Sequence, residues 1–178
     1  MVVKRGLILL LALSGAAAVI SAADKKAAFE FQDEEYFHRW SQGEQHEFTP
    51  AQQEDLEHWT DMVTINRYPA VTEGEKLAGV ANMVLENYRS HGGKILKTKS
   101  IPAADKQPAE HFIAVLFTRP GFAEAAFARF KLVDGKGHSF VYSHRIYGKQ
   151  AKEEMGEWLK DSGETTEEAL LDWEGPGH

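Results

Sequence analysis

The chain contains no cysteine. That absence excludes a disulfide framework, a thiolate zinc site, a cysteine nucleophile and a lipid-modified N-terminal cysteine. No Asn-x-Ser/Thr acceptor occurs either. Zincin chemistry is missing its motif: His46-Glu47-Phe48 begins like His-Glu-x-x-His, but Pro50 stands where the second histidine belongs. There is no Gly-x-Ser-x-Gly elbow, no Ser-x-x-Lys after residue 23, no phosphate loop and no EF-hand pattern. No cofactor and no metal is therefore assigned. Positive charge is in short supply, with 20 Lys+Arg against 27 Asp+Glu and a formal charge of −7. Such a balance argues against nucleic acid or an anionic membrane surface as partner and allows a cationic one, though ordinary solubility accounts for it equally.

Long hydrophobic runs are also absent, except at the start. Lys4 and Arg5 precede an uncharged Leu- and Ala-rich run over residues 6–20, and Ser21, Ala22 and Ala23 follow. This is the three-part pattern of a cleavable signal peptide, predicted to end at residue 23. The run of about fifteen residues falls short of the roughly twenty that a spanning helix needs. Cleavage takes Lys+Arg from 20 to 18 and the charge to −9. The mature chain, about 155 residues, is long enough for one domain with its own core. Export without cysteine or glycosylation sites points to a bacterial periplasm, or to secretion.

Residues 24–48 are polar, acidic and dotted with aromatics; they read as an extended N-terminal arm, with 49–178 as a single domain. In Thr49-Pro50-Ala51-Gln52 a cap, a first-turn proline and a Gln at the box position predict a short helix to about Trp59. Residues 61–68 are β-rich and stop at Pro69. Thr72 with Glu75 forms a second capping box, and Leu77, Val80, Ala81, Val84, Leu85 and Tyr88 make one apolar stripe, so 72–91 is a long helix ending at Gly92-Gly93. Residues 94–101 alternate as a strand. The continuous run 111–118 suits a strand covered on both faces. Alanines in 122–133 permit helix, but Asp134-Gly135-Lys136-Gly137 favours a β-hairpin with 138–147. A helix over 149–162 should stop at Gly163, followed by a short one at 166–173. The expected class is α+β, an antiparallel sheet packed against a long central helix and a C-terminal helix.

A strand at 62–68, a capped helix at 72–91, a run of strands and a closing helix at 149–162 together resemble the Mog1/PsbP-like fold. The resemblance covers residues 61–162 and rests on element order. It implies a small accessory or binding domain and no particular catalytic residues.

Chemistry-bearing residues are sparse. Glu54, His58 and Asp61 share helical spacing that could gather metal ligands, but a solvated polar face explains them better. His138 and His144 fall on one strand face with Phe140 and Tyr142, about 20 Å apart and so too distant for one ion. The opposite face carries Ser139, Val141, Ser143 and Arg145: two hydroxyls and a guanidinium that could line a groove for an anionic or polar ligand, or simply face solvent. Ser90-His91 is a helix stop rather than a dyad. Tyr36 and Trp40 are candidate interface anchors, or else tuck the arm into the core. Two function classes fit. One is an exported, non-catalytic binding or accessory protein for a protein partner or small polar ligand, with an inhibitor or immunity protein for a basic partner as a special case. The other is a hydrolase in which His58, His111, His138 or His144 meets a carboxylate. Binding is the preferred reading, and the oligomeric state stays open.

Overall fold

Residues 110–147 are rich in apolar and β-branched or aromatic side chains broken by turn residues at 120–121 and 134–135, and strands follow. The computed structural model describes residues 26–104 and 107–176; the predicted signal peptide lies outside them. The order is β1 (Phe29–Phe31), β2 (Glu34–Gln42), β3 (Gln45–Pro50), β4 (Asp61–Tyr68), α1 (Gly74–Ser90), β5 (Lys94–Ile101), β6 (Glu110–Arg119), β7 (Phe122–Val133), β8 (Lys136–Tyr147) and α2 (Ala151–Asp172). The strands form one antiparallel sheet, β1-β2-β3-β4-β8-β7-β6-β5. The class is the expected α+β one, with a helix on each face.

Strand alternation sends neighbouring residues to opposite faces. Phe112, Ala114, Ala125, Phe127, Phe140 and Tyr142 pack with Met155 and Leu170 of α2. Ile113, Val115, Ala126, Ala128, Phe130 and Val141 pack with Leu77, Ala81 and Tyr88 of α1. The run in β6 is covered on both faces, as its continuity requires. Phe112 and Phe130 are fully buried, each worth about 1.5–3 kcal/mol of transfer free energy. The β7–β8 turn has φ of +50° at Asp134 and +71° at Gly135, the backbone of a two-residue hairpin whose twist matches its strands. Residues 122–133 are strand throughout. Their alanines are the small residues that let helices approach the sheet, which is why they resemble helix in isolation.

Four local expectations are corrected. Residues 29–48, read as part of an arm, form with Thr49 and Pro50 three strands of the same sheet: Phe31, Tyr36 and Phe48 are buried in the α2-side core. The short helix after Thr49 does not form. The Thr49 hydroxyl donates to the Gln53 carbonyl and accepts from Arg39 Nε at 2.9 Å, while the Asp55 carboxylate bonds the Glu57 amide at 2.8 Å. These local bonds hold residues 51–60 as a loop. Helix α1 begins at Gly74 with Glu73 as its cap and no side-chain capping bond. Finally, α2 runs unbroken through Gly163, because Thr166, Ala169 and Leu170 continue the apolar side begun by Ala151, Met155 and Leu159. Its C-terminal end is held by Arg129, whose Nη1 donates to the carbonyls of Leu170 (3.1 Å) and Trp173 (2.7 Å).

Candidate functional site

Helix α1 lies over β5, β6 and β7. On the same face, α1 makes no comparable contact with β4 or β8. The loop 51–60 supplies one wall through buried Trp59, and α1 supplies the other through Met83, Val84 and Tyr88. Between them opens a cavity of about 200 Å³. Its floor is Thr64 and Asn66 of β4 beside Ser139, Val141 and Ser143 of β8. The register pairs Thr64 with Val141 and Asn66 with Ser139, so these side chains stand in two adjacent rows.

The polar floor is organised. Ser139 Oγ accepts from Asn66 Nδ2 at 3.0 Å and lies 3.2 Å from the Tyr68 hydroxyl. Burial raises the Tyr68 pKa, and it remains a neutral phenol. At the other end Arg145 grips Glu124 through Nε (3.1 Å) and Nη2 (2.6 Å). Its guanidinium is sandwiched between the rings of Trp59, 4.0 Å away, and Phe122, 4.5 Å away. Burial pushes the Glu124 carboxyl up, against the pull of Arg145. For Arg145 burial works against the charge, but Glu124 outweighs it and the pKa rises. The pair cancels its own charge, so the groove offers hydroxyls and amides in an apolar frame.

Ser139, Ser143 and Arg145 therefore line one groove. Tyr36 does not join them. It faces the α2 side and lines a second pocket of about 300 Å³ with Glu34, Asp61 and Tyr142. Trp40 lines neither pocket and stands cross-strand from Glu47. Glu54, His58 and Asp61 do not converge: Glu54 meets Arg39 at 3.4 Å, His58 meets Asp55 at 3.0 Å, and Asp61 meets His144 at 2.9 Å. The Asp61 carboxylate also accepts from Tyr142 (2.8 Å) and Thr60 (2.7 Å). Burial opposes its charge, but these bonds and His144 outweigh burial and hold the pKa down at about 2. The His144 ring stacks on Trp158 at 4.3 Å. Among the described residues no group of three or more His, Asp or Glu is placed to hold a metal ion, and no helix is long and apolar enough to cross a membrane.

Sequence reading missed Trp59, Asn66, Tyr68 and Glu124 as groove residues. The available signal was parity, since Met62, Thr64, Asn66 and Tyr68 alternate in β4 as Ser139, Val141, Ser143 and Arg145 do in β8.

A family model matches residues 23–170. No curated protein matches. Among solved structures the chain is similar to the Ran-binding protein Mog1p of Saccharomyces cerevisiae, at 6% identity over 76% of this chain and 82% of that one, with a TM-score of 0.47. It is also similar to human STARD10, at 7% identity over 78% of this chain and 74% of that one, with a TM-score of 0.32. The Mog1 likeness read from the element order is thus met among solved structures. Neither likeness bears on the chemistry of the groove.

Proposed function

The chain belongs to the family matched over residues 23–170, and we propose for it the role of a small exported, non-catalytic binding protein whose ligand occupies the groove between α1 and strands β4 and β8. One observation carries this reading: two strands left uncovered by α1 present an organised row of hydroxyls and amides inside an apolar frame. Pockets that bind small molecules are built this way, mostly apolar with a few fixed polar groups. No histidine lines the groove, and its buried acid is held by Arg145. A general base with a free nucleophile beside it is what a hydrolase would need there.

The size and neutrality of the groove point to a small uncharged molecule. An apolar cavity of about 150 Å³ holds benzene, and this one is about 200 Å³. A compact ring or short chain with one hydroxyl or carbonyl fits, its polar atom set against Asn66 and Ser139. Export rests on the predicted signal peptide.

The test is ligand-observed NMR of the mature chain against neutral phenols, alcohols and amides of that size, with Val84→Trp as the blocked variant. Val84 is half-buried at the lip, so the larger ring fills the groove from its edge. Binding that Val84→Trp abolishes, in a variant that unfolds at the wild-type temperature, supports the groove. Binding unchanged by the blockade, or no binding by any class, removes it.

A hydrolase is the second reading, and the Asp61–His144 pair is the observation in its favour. A loss of ester or amide hydrolysis in His144→Gln would establish it.

A further inference from the structure

The pocket on the α2 face is separate from the groove and is built for the opposite kind of ligand. It lies where the β1–β2 turn, the end of β3 and the start of β4 meet, and its volume is about 300 Å³. Its nine lining residues include two carboxylates, Glu34 and Asp61, and not one cation. The rest of its polar lining consists of glutamines and the hydroxyls of Tyr36 and Tyr142.

We propose that this pocket binds an organic cation, an alkylammonium or guanidinium group, seated between Glu34, Asp61 and the Tyr36 hydroxyl.

Three observations converge on it. The first is charge. Four donors fix the Asp61 carboxylate: Tyr142, His144, Thr60 and Gln53. With its pKa held down it stays ionised throughout the ordinary pH range. Glu34 adds a second negative charge at the exposed rim, within reach of an arriving ligand. An anion would be repelled here, and a neutral molecule would gain nothing from either carboxylate.

The second is an unanswered hydroxyl. Tyr36 is only 2% exposed, lines the pocket, and among the described residues its hydroxyl has no hydrogen-bond partner. The oxygen is not sealed in the core but reaches the pocket surface, where a partner from within the pocket can meet it. An N–H donor in the pocket is such a partner.

The third is acceptor capacity. Burial first, then the nearby carboxylates, push the Tyr36 and Tyr142 hydroxyls up. Both remain neutral phenols whose oxygens accept from a cationic N–H. The Gln52 side chain, exposed at the edge, adds an amide oxygen. An ammonium has three donors and a guanidinium five; Glu34, the two tyrosine oxygens and Gln52 are able to accept them, while Asp61, its own sites taken by four donors, acts through its charge.

A free amine and a lysine or arginine side chain offered by a protein present the same head group. Titration by NMR separates them, following the ring resonances of Tyr36 and Tyr142 in the folded chain. The probes are n-butylammonium, n-butanol as its neutral counterpart, and a short acetylated peptide with a single arginine. The cation should shift both rings and bind at least about tenfold tighter than butanol. Glu34→Gln and Tyr36→Phe should each weaken it by about three- to tenfold. Neither change touches the bonds that hold Asp61, so both variants keep the fold. A peptide tighter than butylammonium identifies a protein side chain as the source, and a peptide no tighter identifies a free amine. Equal binding of butanol and butylammonium, no shift of either ring, or variants within about twofold of wild type would each overturn the proposal.

Discussion

The two faces of the sheet use the same strands and reach different ends. On the α2 face aromatics dominate the inward residues, with Phe31, Tyr36, Phe48, Phe112, Phe127, Phe140 and Tyr142 beside the smaller Ala114, Ala123 and Ala125. A helix of 22 residues, with Trp158 on its packed side and Trp173 just beyond its end, closes over most of them. On the α1 face the inward residues of β7 and β8 are mostly small, among them Ala126, Ala128, Ser139 and Ser143. The helix there has 17 residues and stops short of β4 and β8. One face is filled by aromatics and the other is left partly open, and the opening is the groove. A sheet broader than the helix laid on it turns alternate strand residues into a floor.

The filled face is where damage costs most. The Arg129 side chain is only 6% exposed and ties Glu110 of β6 to the carbonyls at the end of α2. Arg129→Met leaves the Glu110 carboxylate half-buried without its cation and strips the helix end of its donors. The expected loss is about 3–5 kcal/mol, measured by urea denaturation. The double variant Arg129→Met, Glu110→Met should recover part of it, because no charge is then stranded. A loss under about 1 kcal/mol would mean that α2 is held by its apolar side alone, and the comparison of faces would need redrawing.

A pair of carboxylates sharpens the contrast. Glu47 in β3 points to the α1 face and Asp61 in β4 to the α2 face. Both are shielded, yet burial raises the Glu47 pKa to about 7, with only Gln45 opposing it, while the donors around Asp61 hold it at about 2. Asp61, depressed below its ordinary 3.8, contributes stability above that value and loses it as pH falls through about 2. Glu47 acts in the other direction. Below about 4.5 it is protonated in folded and unfolded chains alike, and it costs nothing. Between 4.5 and 7 the unfolded chain releases its proton first, and stability declines. Glu47→Gln should therefore stabilise the protein by about 2–3 kcal/mol at pH 8 and have almost no effect at pH 4, read from denaturation midpoints at the two values. An effect independent of pH would show that the carboxyl is not desolvated.

How far this contrast was legible in the sequence depends on the range of the contacts. The long α1 stripe, β4, the covered β6 and the β7–β8 hairpin are local patterns, and all were readable. The polar row Ser139, Ser143 and Arg145 was readable as one strand face. Its partner row Thr64, Asn66 and Tyr68 lies some seventy residues away, and the Asn66–Ser139 pairing arises only when β4 docks on β8. Tyr36 was a candidate on aromatic character alone. Its acidic surroundings form when β1, β2 and β4 meet, which no spacing along the chain records. Residues 29–50 lacked a clean period because their strands are interrupted by a bulge between His38 and Trp40 and by tight turns. The capping box at Thr49 was a genuine local signal overruled by the loop that walls the groove.

The last expectation concerns the helix on which the filled face depends. A glycine followed by polar residues reads as a stop, and Gly163 stands in the sequence Ser162-Gly163-Glu164-Thr165. The helix nevertheless continues, because Thr166 and Leu170 are fully buried one and two turns later and draw the chain onward. Helical backbone at glycine is costly, since glycine loses more conformational freedom than alanine on ordering. A Cβ at 163 would meet only Leu159 Cδ2 at 3.7 Å, an ordinary contact. Gly163→Ala should thus stabilise the protein by about 0.5–1 kcal/mol, seen as a small rise in thermal midpoint. If the helix were in truth two pieces hinged at 163, alanine would stiffen the wrong segment and the midpoint would fall. Tertiary burial of two residues downstream outweighs the local preference for a break, and this substitution is the smallest change that measures by how much.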